Sequence, residues 1–183
     1  RAVQVSEQLG ARRTAARARL QLASAYESQG KAAEALTIVQ SVLPFLQANS
    51  YRQWEVDALQ IATRAHQMRG EIDRARQTAT DVLKTAERVK DELNVALALT
   101  NLASIDTTIG EYPAALRSRV RAEAIHRRLG DEASLPYDLV NRADLLVRLG
   151  RTREAEVLLS ELEAGARRGL DGYVGRSARV VYL

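Results

Sequence analysis

The chain has 183 residues, of which 46% are hydrophobic and 27% are charged, and its formal net charge is +4. This balance excludes an intrinsically disordered chain, and the absence of cysteine excludes disulfides, thiolate metal sites and a cysteine nucleophile. No apolar run approaches the ~20 residues of a membrane span. Acidic residues are interleaved with the basic ones, so neither a membrane nor a nucleic acid is an expected partner.

The helices are predicted from four evenly spaced glycines. Gly30, Gly70, Gly110 and Gly150 stand 40 residues apart, and each is followed five residues later by an alanine. A fixed period of this length indicates a repeat protein built as a solenoid. Apolar and small residues recur with helical spacing on both sides of each glycine. Each unit is therefore predicted to contain a helix A, a glycine turn, a helix B and a short link.

In chain order, further breaks are expected at the links, which lie at residues 9–12, 48–52, 89–92 and 129–132. These breaks predict about 18 residues in helix A and about 17 in helix B. The expected divisions are the end of a preceding helix B (1–10), repeats 1 to 4 (11–50, 51–90, 91–130 and 131–170) and the start of a fifth helix A (171–183). We interpret the chain as a piece of a longer protein.

The segment ALTNLASIDTTIGEYPAAL, residues 98–116, resembles the tetratricopeptide repeat (TPR). The usual period of that family is about 34 residues. The longer period found here is similar to the arrays of bacterial signalling ATPases, of proteins with caspase-like CHAT domains and of kinesin light chains. The resemblance implies an all-α, right-handed superhelical solenoid of antiparallel helix pairs, whose helices A line a concave groove.

The resemblance also implies which residues face the groove, because the family places them 13, 9, 6 and 2 residues before each glycine. These residues are Arg17, Gln21, Ser24, Ser28, Asp57, Ile61, Arg64, Met68, Leu97, Asn101, Ser104, Thr108, Tyr137, Asn141, Asp144 and Arg148. A mostly polar set of this kind suits a peptide or a protein segment. The alternatives are a solvated face and a groove filled by another part of the parent protein.

Three charged residues occupy positions that are apolar in the other repeats. Asp106 takes the place of Tyr26, while Arg119 and Arg142 take the places of Val39 and Leu22. Because an isolated buried charge is very costly, we predict that Asp106 pairs with Arg119, with Arg142 or with both. Such a cluster either fixes the repeat register or anchors a ligand.

The third helix B is the most basic segment, with Arg117, Arg119, Arg121, Arg127 and Arg128 against Glu123 alone. It is either a solvated face or a docking patch for an acidic partner. His66 and His126 lie on helices A and B of different repeats. We expect packed histidines, and we expect no catalytic residue, metal or cofactor, because neither nucleophile nor metal-ligand spacings occur.

These observations favour a non-enzymatic, cytoplasmic scaffold that binds a peptide or protein in the groove. The family resemblance and the preference for arginine over lysine favour a bacterial source. One alternative function is a regulatory or sensor segment of a larger signalling ATPase or caspase-like protease. Another is a self-associating structural array, because exposed terminal helices of a repeat array favour dimerisation.

Overall fold

The computed structural model describes residues 2–167, and it describes side chains from residue 10 to residue 164. All regular elements in this part of the chain are helices, so the all-α prediction is confirmed. The helices are α1 (Ala2–Ser28), α2 (Ala32–Ala48), α3 (Arg52–Met68), α4 (Ile72–Arg88), α5 (Glu92–Thr108), α6 (Tyr112–Leu129), α7 (Leu135–Arg148) and α8 (Thr152–Arg167). The predicted fifth helix A, at residues 171–183, lies outside the described residues.

The chain divides into two compact units, unit 1 (Arg1–Asp91) and unit 2 (Glu92–Leu183). In unit 1, α1 packs on α2, α2 on α3 and α3 on α4, and α1 also reaches α3. In unit 2, α5 packs on α6, α6 on α7 and α7 on α8. Helices that are consecutive in sequence therefore pack as antiparallel neighbours, which is the arrangement expected of helical repeats.

Small residues are buried in the core of both units. The alanines that follow the glycine turns, Ala35, Ala75, Ala115 and Ala155, are each at most 1% exposed. The small residues that precede the turns, Ala23, Thr63, Ala103 and Ala143, have no exposed surface. Because a side chain larger than these would separate the paired helices, the repeated small residues fix the distance between helix A and helix B.

A residue with positive φ ends each helix before every turn and link from residue 30 onward. These residues are Gly30, Gly70, Gly110 and Gly150 at the turns and Ser50, Lys90 and Gly130 at the links. The N–H that follows each of them donates to a carbonyl five residues earlier, as Lys31 does to Tyr26 at 2.9 Å. This bond is that of a Schellman cap, which satisfies the free carbonyls of a helix end.

The predicted break at residues 9–12 is absent, because α1 continues through Gly10. Gly10 is not among the residues with positive φ, and its carbonyl accepts a bond from the hydroxyl of Thr14 at 3.0 Å. A glycine inside a helix costs only about 1 kcal/mol relative to alanine. The residues after Gly10 are good helix formers, which favours a continuous helix. At the links at Lys90 and Gly130, where a helix does end, the following residues are acidic instead.

Candidate functional site

A small polar pocket lies between α5, α6 and α7 in unit 2, with a volume of about 140 Å³. We call it the α5–α7 pocket. It is lined by Ser104, Thr107 and Thr108 of α5, Arg119 of α6, and Tyr137, Asn141, Asp144 and Leu145 of α7. Five of these residues (Ser104, Thr108, Tyr137, Asn141 and Asp144) were predicted groove positions.

Helical geometry explains why these residues converge. On α7, Tyr137, Asn141 and Asp144 follow the spacing i, i+4, i+7, which places them on one face of the helix. On α5, Ser104 and Thr108 are likewise one turn apart. The sequence reasoning missed Thr107 and Leu145. It assigned Arg119 to the ionic cluster rather than to the groove.

The hydrogen bonds inside the pocket leave both donors and acceptors for a ligand. Thr107 and Thr108 donate their hydroxyl protons to the carbonyls of Ala103 (2.7 Å) and Ser104 (3.0 Å), so their oxygen lone pairs stay available. Asn141 donates from Nδ2 to the carbonyl of Tyr137 at 2.6 Å, which leaves Oδ1 and one N–H. The α5–α7 pocket can therefore both donate to and accept from a bound group.

Arg119 contributes a positive charge with 2% of its surface exposed. Its Nη1 donates to Oδ1 of Asp138 at 3.3 Å, and its guanidinium lies 5.2 Å from the ring centroid of Tyr137. The second carboxylate oxygen of Asp138, Oδ2, is 2.5 Å from Nδ1 of His126. Asp138 and His126 are 0% and 3% exposed, so these three residues form a buried cluster, which we call the Arg119–Asp138–His126 cluster.

The repeat alignment contains a signal for this cluster that the sequence reasoning did not use. Asp138 stands where Ala58 and Ala98 stand in the other repeats, and His126 stands where Leu46 and Ala86 stand. Each of these equivalents is fully buried. A polar residue at an otherwise apolar buried position requires a partner. Asp138 and His126 both occupy such positions, and together they indicated an interacting pair.

Arg142 and Asp106, the other members of the predicted ionic cluster, differ in their surroundings. Arg142 donates from Nη1 to Oε2 of Glu123 at 3.0 Å, while Oε1 of Glu123 accepts from Nε of Arg127 at 3.0 Å. Asp106 is 4% exposed, as its apolar register position predicts. Asp138 and Glu123 are the carboxylates that pair with Arg119 and Arg142. The pairing of Asp106 with either arginine stays a prediction.

The predicted groove residues of unit 1 differ in their contacts and in their exposure. Arg64 donates to Glu27 at 3.0 Å, Met68 is 47% exposed, and Arg17 lies 6.0 Å from the ring centroid of Trp54. Asp57 is an exposed residue, yet neighbouring atoms desolvate its carboxyl enough to raise its pKa, and the Asp91 carboxylate raises it further. Gln21 and Ser28 are exposed, Ser24 is half-buried and Ile61 is buried.

Three further predicted groove residues of unit 2 are absent from the lining of the α5–α7 pocket. Asn101 is half-buried on α5, one turn before Ser104. Arg148 donates from Nε to Asp144 at 2.7 Å, and this bond raises the pKa of its guanidinium. Leu97 is 40% exposed on the same helix as Asn101. Asn101, Leu97 and Arg148 lie outside the pocket lining, so the structure does not unite all predicted groove positions of unit 2.

Both histidines are held by carboxylates. Nδ1 of His66 lies 2.6 Å from Oε2 of Glu71, and this bond, with a second from Arg69, lowers the pKa of Glu71 to about 2. Nε2 of His126 has no hydrogen-bond partner in the part of the chain that the structure describes. A histidine that activates a hydroxyl nucleophile needs that hydroxyl on its second nitrogen, so the His126–Asp138 pair is not arranged as a triad.

Within residues 2–167, no group of His, Asp and Glu side chains is placed to hold a metal ion. None of the helices described there has the length and apolar character to cross a membrane.

The comparisons with known proteins identify the fold. No protein-family model matches the sequence, and no curated protein matches it significantly. BtubC (BKLC) from P. vanneervenii is similar in structure, with a TM-score of 0.76 and 20% identity over 85% of this chain and 64% of that one. The kinesin light chain TPR-like repeats of Podosopora anserina match with a TM-score of 0.71 and 18% identity, covering 82% of this chain and 75% of that chain. The fold is TPR-like.

A Rap protein in complex with competence and sporulation factor also matches, with a TM-score of 0.74 and 14% identity over 84% of this chain. The TPR-like chain spans about half the length of the Rap proteins it matches, 53% of RapI and 43% of the complexed protein. The likeness at these identities concerns the fold.

Proposed function

We propose that this chain is a scaffold that binds a peptide or an extended protein segment, and that the α5–α7 pocket of unit 2 is part of its binding face. The observation that carries the proposal is the convergence of five predicted groove residues, from two successive helices A, on one pocket. The proposal includes the predicted division into repeats 11–50, 51–90, 91–130 and 131–170, in which α5 and α7 are helices A.

The size and polarity of the pocket favour part of a chain over a complete small molecule. Small-molecule sites usually enclose ~300–1,000 Å³, whereas the α5–α7 pocket has about 140 Å³. A peptide unit presents one N–H donor and one carbonyl acceptor. Asn141 keeps an acceptor and a donor for such a unit, and the exposed hydroxyl of Ser104 supplies another donor.

One structurally similar protein has been crystallised with a bound factor. A Rap protein, whose fold this chain shares, was crystallised with competence and sporulation factor. That likeness supports a binding role for this chain, while the lining residues named above suggest where the bound segment lies.

Selection from a random peptide display library tests the proposal, using the full chain and the Asn141→Ala variant. We expect peptides that bind the wild-type chain and bind Asn141→Ala at least about tenfold more weakly, because one buried hydrogen bond at an interface contributes roughly 1.4 kcal/mol. The variant should remain folded, since alanine has a higher helix propensity than asparagine.

Gln40→Ala, which removes an exposed amide from α2 in unit 1, is the matched control. It should leave the affinity of the selected peptides unchanged. Peptides that bind the wild-type chain, Asn141→Ala and Gln40→Ala equally would show that the α5–α7 pocket is not the binding site. Peptides that bind only to unit 1 would show the same.

A further inference from the structure

The α5–α7 pocket lies at a repeat position where unit 1 has an ion pair instead. In unit 1, Arg64 of α3 donates to Glu27 of α1 at 3.0 Å. The residues 80 positions later are Asp144 of α7 and Thr107 of α5, and both line the pocket. Because threonine is shorter than glutamate and carries no charge, the bridge that joins α1 to α3 has no equivalent between α5 and α7. The space is left to a ligand.

The two charged residues of the lining are already matched by opposite charges. Asp144 accepts a bond from Nε of Arg148 at 2.7 Å, and Arg119 donates to Asp138 at 3.3 Å. A charged group entering the pocket would therefore lose water without meeting an uncompensated partner, which costs free energy. The lining favours a neutral polar group.

The hydrogen bonds of the lining define which neutral group fits. Thr107 and Thr108 use their hydroxyl protons in bonds to carbonyls one turn earlier, so each oxygen offers lone pairs and no proton. Asn141 keeps one N–H, because the other is donated to the carbonyl of Tyr137 at 2.6 Å. The exposed hydroxyl of Ser104 supplies a second donor. A complementary group therefore carries two donors and one oxygen with two lone pairs.

A primary carboxamide, the end group of asparagine and glutamine side chains, has this composition. We propose that the α5–α7 pocket binds the side-chain amide of an asparagine or glutamine in the bound segment. The two N–H groups of the amide donate to the hydroxyl oxygens of Thr107 and Thr108, and its oxygen accepts from Asn141 and Ser104. The inference rests on the proposed function, because it names the residue type that the bound segment inserts.

Other end groups match the lining less well. A carboxylate has no proton to donate to the two threonines, and an ammonium has no acceptor for the N–H of Asn141. A peptide unit has a single N–H, so one threonine oxygen stays without a donor. The count of donors and acceptors thus selects the primary amide, and no excess of charge is needed.

Three small probes separate these groups: acetamide, which is a primary amide, N-methylacetamide, which represents the peptide unit, and acetate. Binding to the full chain is measured by NMR titration of the methyl signals of Thr107 and Thr108 and of the side-chain amide signal of Asn141, which all belong to the lining. We expect acetamide to shift these signals. N-methylacetamide should bind at least about threefold more weakly and acetate at least about tenfold more weakly, because they lack one and two donors.

The double variant Thr107→Val/Thr108→Val keeps the size of both side chains and removes both oxygens. It should bind acetamide about tenfold more weakly, as expected for the loss of two neutral hydrogen bonds, with Asn141 as the reporting signal. The matched control is Thr78→Val/Thr80→Val on α4, where both hydroxyls bond to carbonyls one turn earlier at 2.8 Å. These two threonines lie outside the pocket lining, so the control should bind acetamide as the wild-type chain does.

The proposal is wrong if acetate or N-methylacetamide binds as tightly as acetamide, or if acetamide causes no shifts. Equal binding of acetamide to the wild-type chain and to Thr107→Val/Thr108→Val would also overturn it. These outcomes differ from a failure of the proposed function, which depends on whether the selected peptides need Asn141. Peptides that need Asn141 but contain neither asparagine nor glutamine would support the proposed function and overturn the inference.

Discussion

At the scale of single residues, Asp138 links two basic side chains in the interior of unit 2. It is fully buried and touches two groups that can be positively charged, Arg119 and His126. A guanidinium stays protonated at any pH at which proteins fold. Removing the carboxylate therefore leaves a buried charge with less compensation, which is among the most costly single changes in a protein.

Asp138→Asn is expected to lower the free energy of unfolding by about 3–5 kcal/mol, the usual cost of breaking a buried ion pair. Urea unfolding followed by circular dichroism measures this change. Asp144→Asn is the control, because the Asp144–Arg148 pair is exposed and such pairs contribute about 0–1 kcal/mol. The triple variant Arg119→Val/His126→Leu/Asp138→Ala carries the residues of other repeats and should recover most of the loss. If Asp138→Asn were no more destabilising than Asp144→Asn, the cluster would not stabilise the fold.

Glu71 gives unit 1 a specific response to acid. Bonds from His66 and Arg69 lower the pKa of its carboxyl to about 2 from the ordinary 4.5. A carboxyl whose pKa is lower in the folded state stabilises the fold above its unfolded pKa, and this stabilisation is lost as the pH falls through the folded pKa.

The stability difference between the wild-type chain and Glu71→Gln is therefore expected to be constant above pH 4.5 and to disappear between pH 4.5 and 2. Unfolding free energies measured across this range test the expectation. Glu111→Gln is the matched control, because Glu111 holds the same position after Gly110 but has no histidine or arginine in the equivalent positions. A pH-independent difference for Glu71→Gln would contradict the lowered pKa.

At the scale of elements, the helix ends follow a rule with a 20-residue spacing. Positive φ recurs at residues 30, 50, 70, 90, 110, 130 and 150, but only five of these positions hold glycine. Ser50 and Lys90 adopt φ values of 56° and 57°, which a side chain with a Cβ disfavours. Residues 50 and 90 thus have the backbone conformation of the turn glycines. Their own side chains, those of serine and lysine, disfavour that conformation.

Lys90→Gly is accordingly expected to raise the free energy of unfolding by about 0.5–1 kcal/mol, because glycine adopts positive φ without a Cβ clash. Thermal unfolding measures the change as a higher Tm. Lys84→Gly, an exposed position inside α4, should instead lower stability by about 1 kcal/mol. Equal effects of the two substitutions would mean that the left-handed conformation of residue 90 carries no strain.

At the scale of the whole molecule, the sequence was sufficient to predict the fold and part of the site. The recurring glycines and alanines predicted helices of 17 or 18 residues, and α2 to α6 have these lengths. α7 has 14 residues, because Asp131 accepts bonds from the backbone N–H and hydroxyl of Ser134 and so holds a turn before the helix. The family resemblance then predicted five of the eight residues that line the α5–α7 pocket.

The sequence by itself determined the helix order, the turns and the buried small residues, because all of these depend on spacing within one or two helices. Only the tertiary structure decided which charges meet, placing Asp138 beside Arg119 and Glu123 beside Arg142, each pair 19 residues apart. It also decided that Gly10 stays helical. The physical reason is that an arginine side chain is long enough to reach several acids on neighbouring helices. Its partner is therefore set by how the helices pack and not by its position in the repeat.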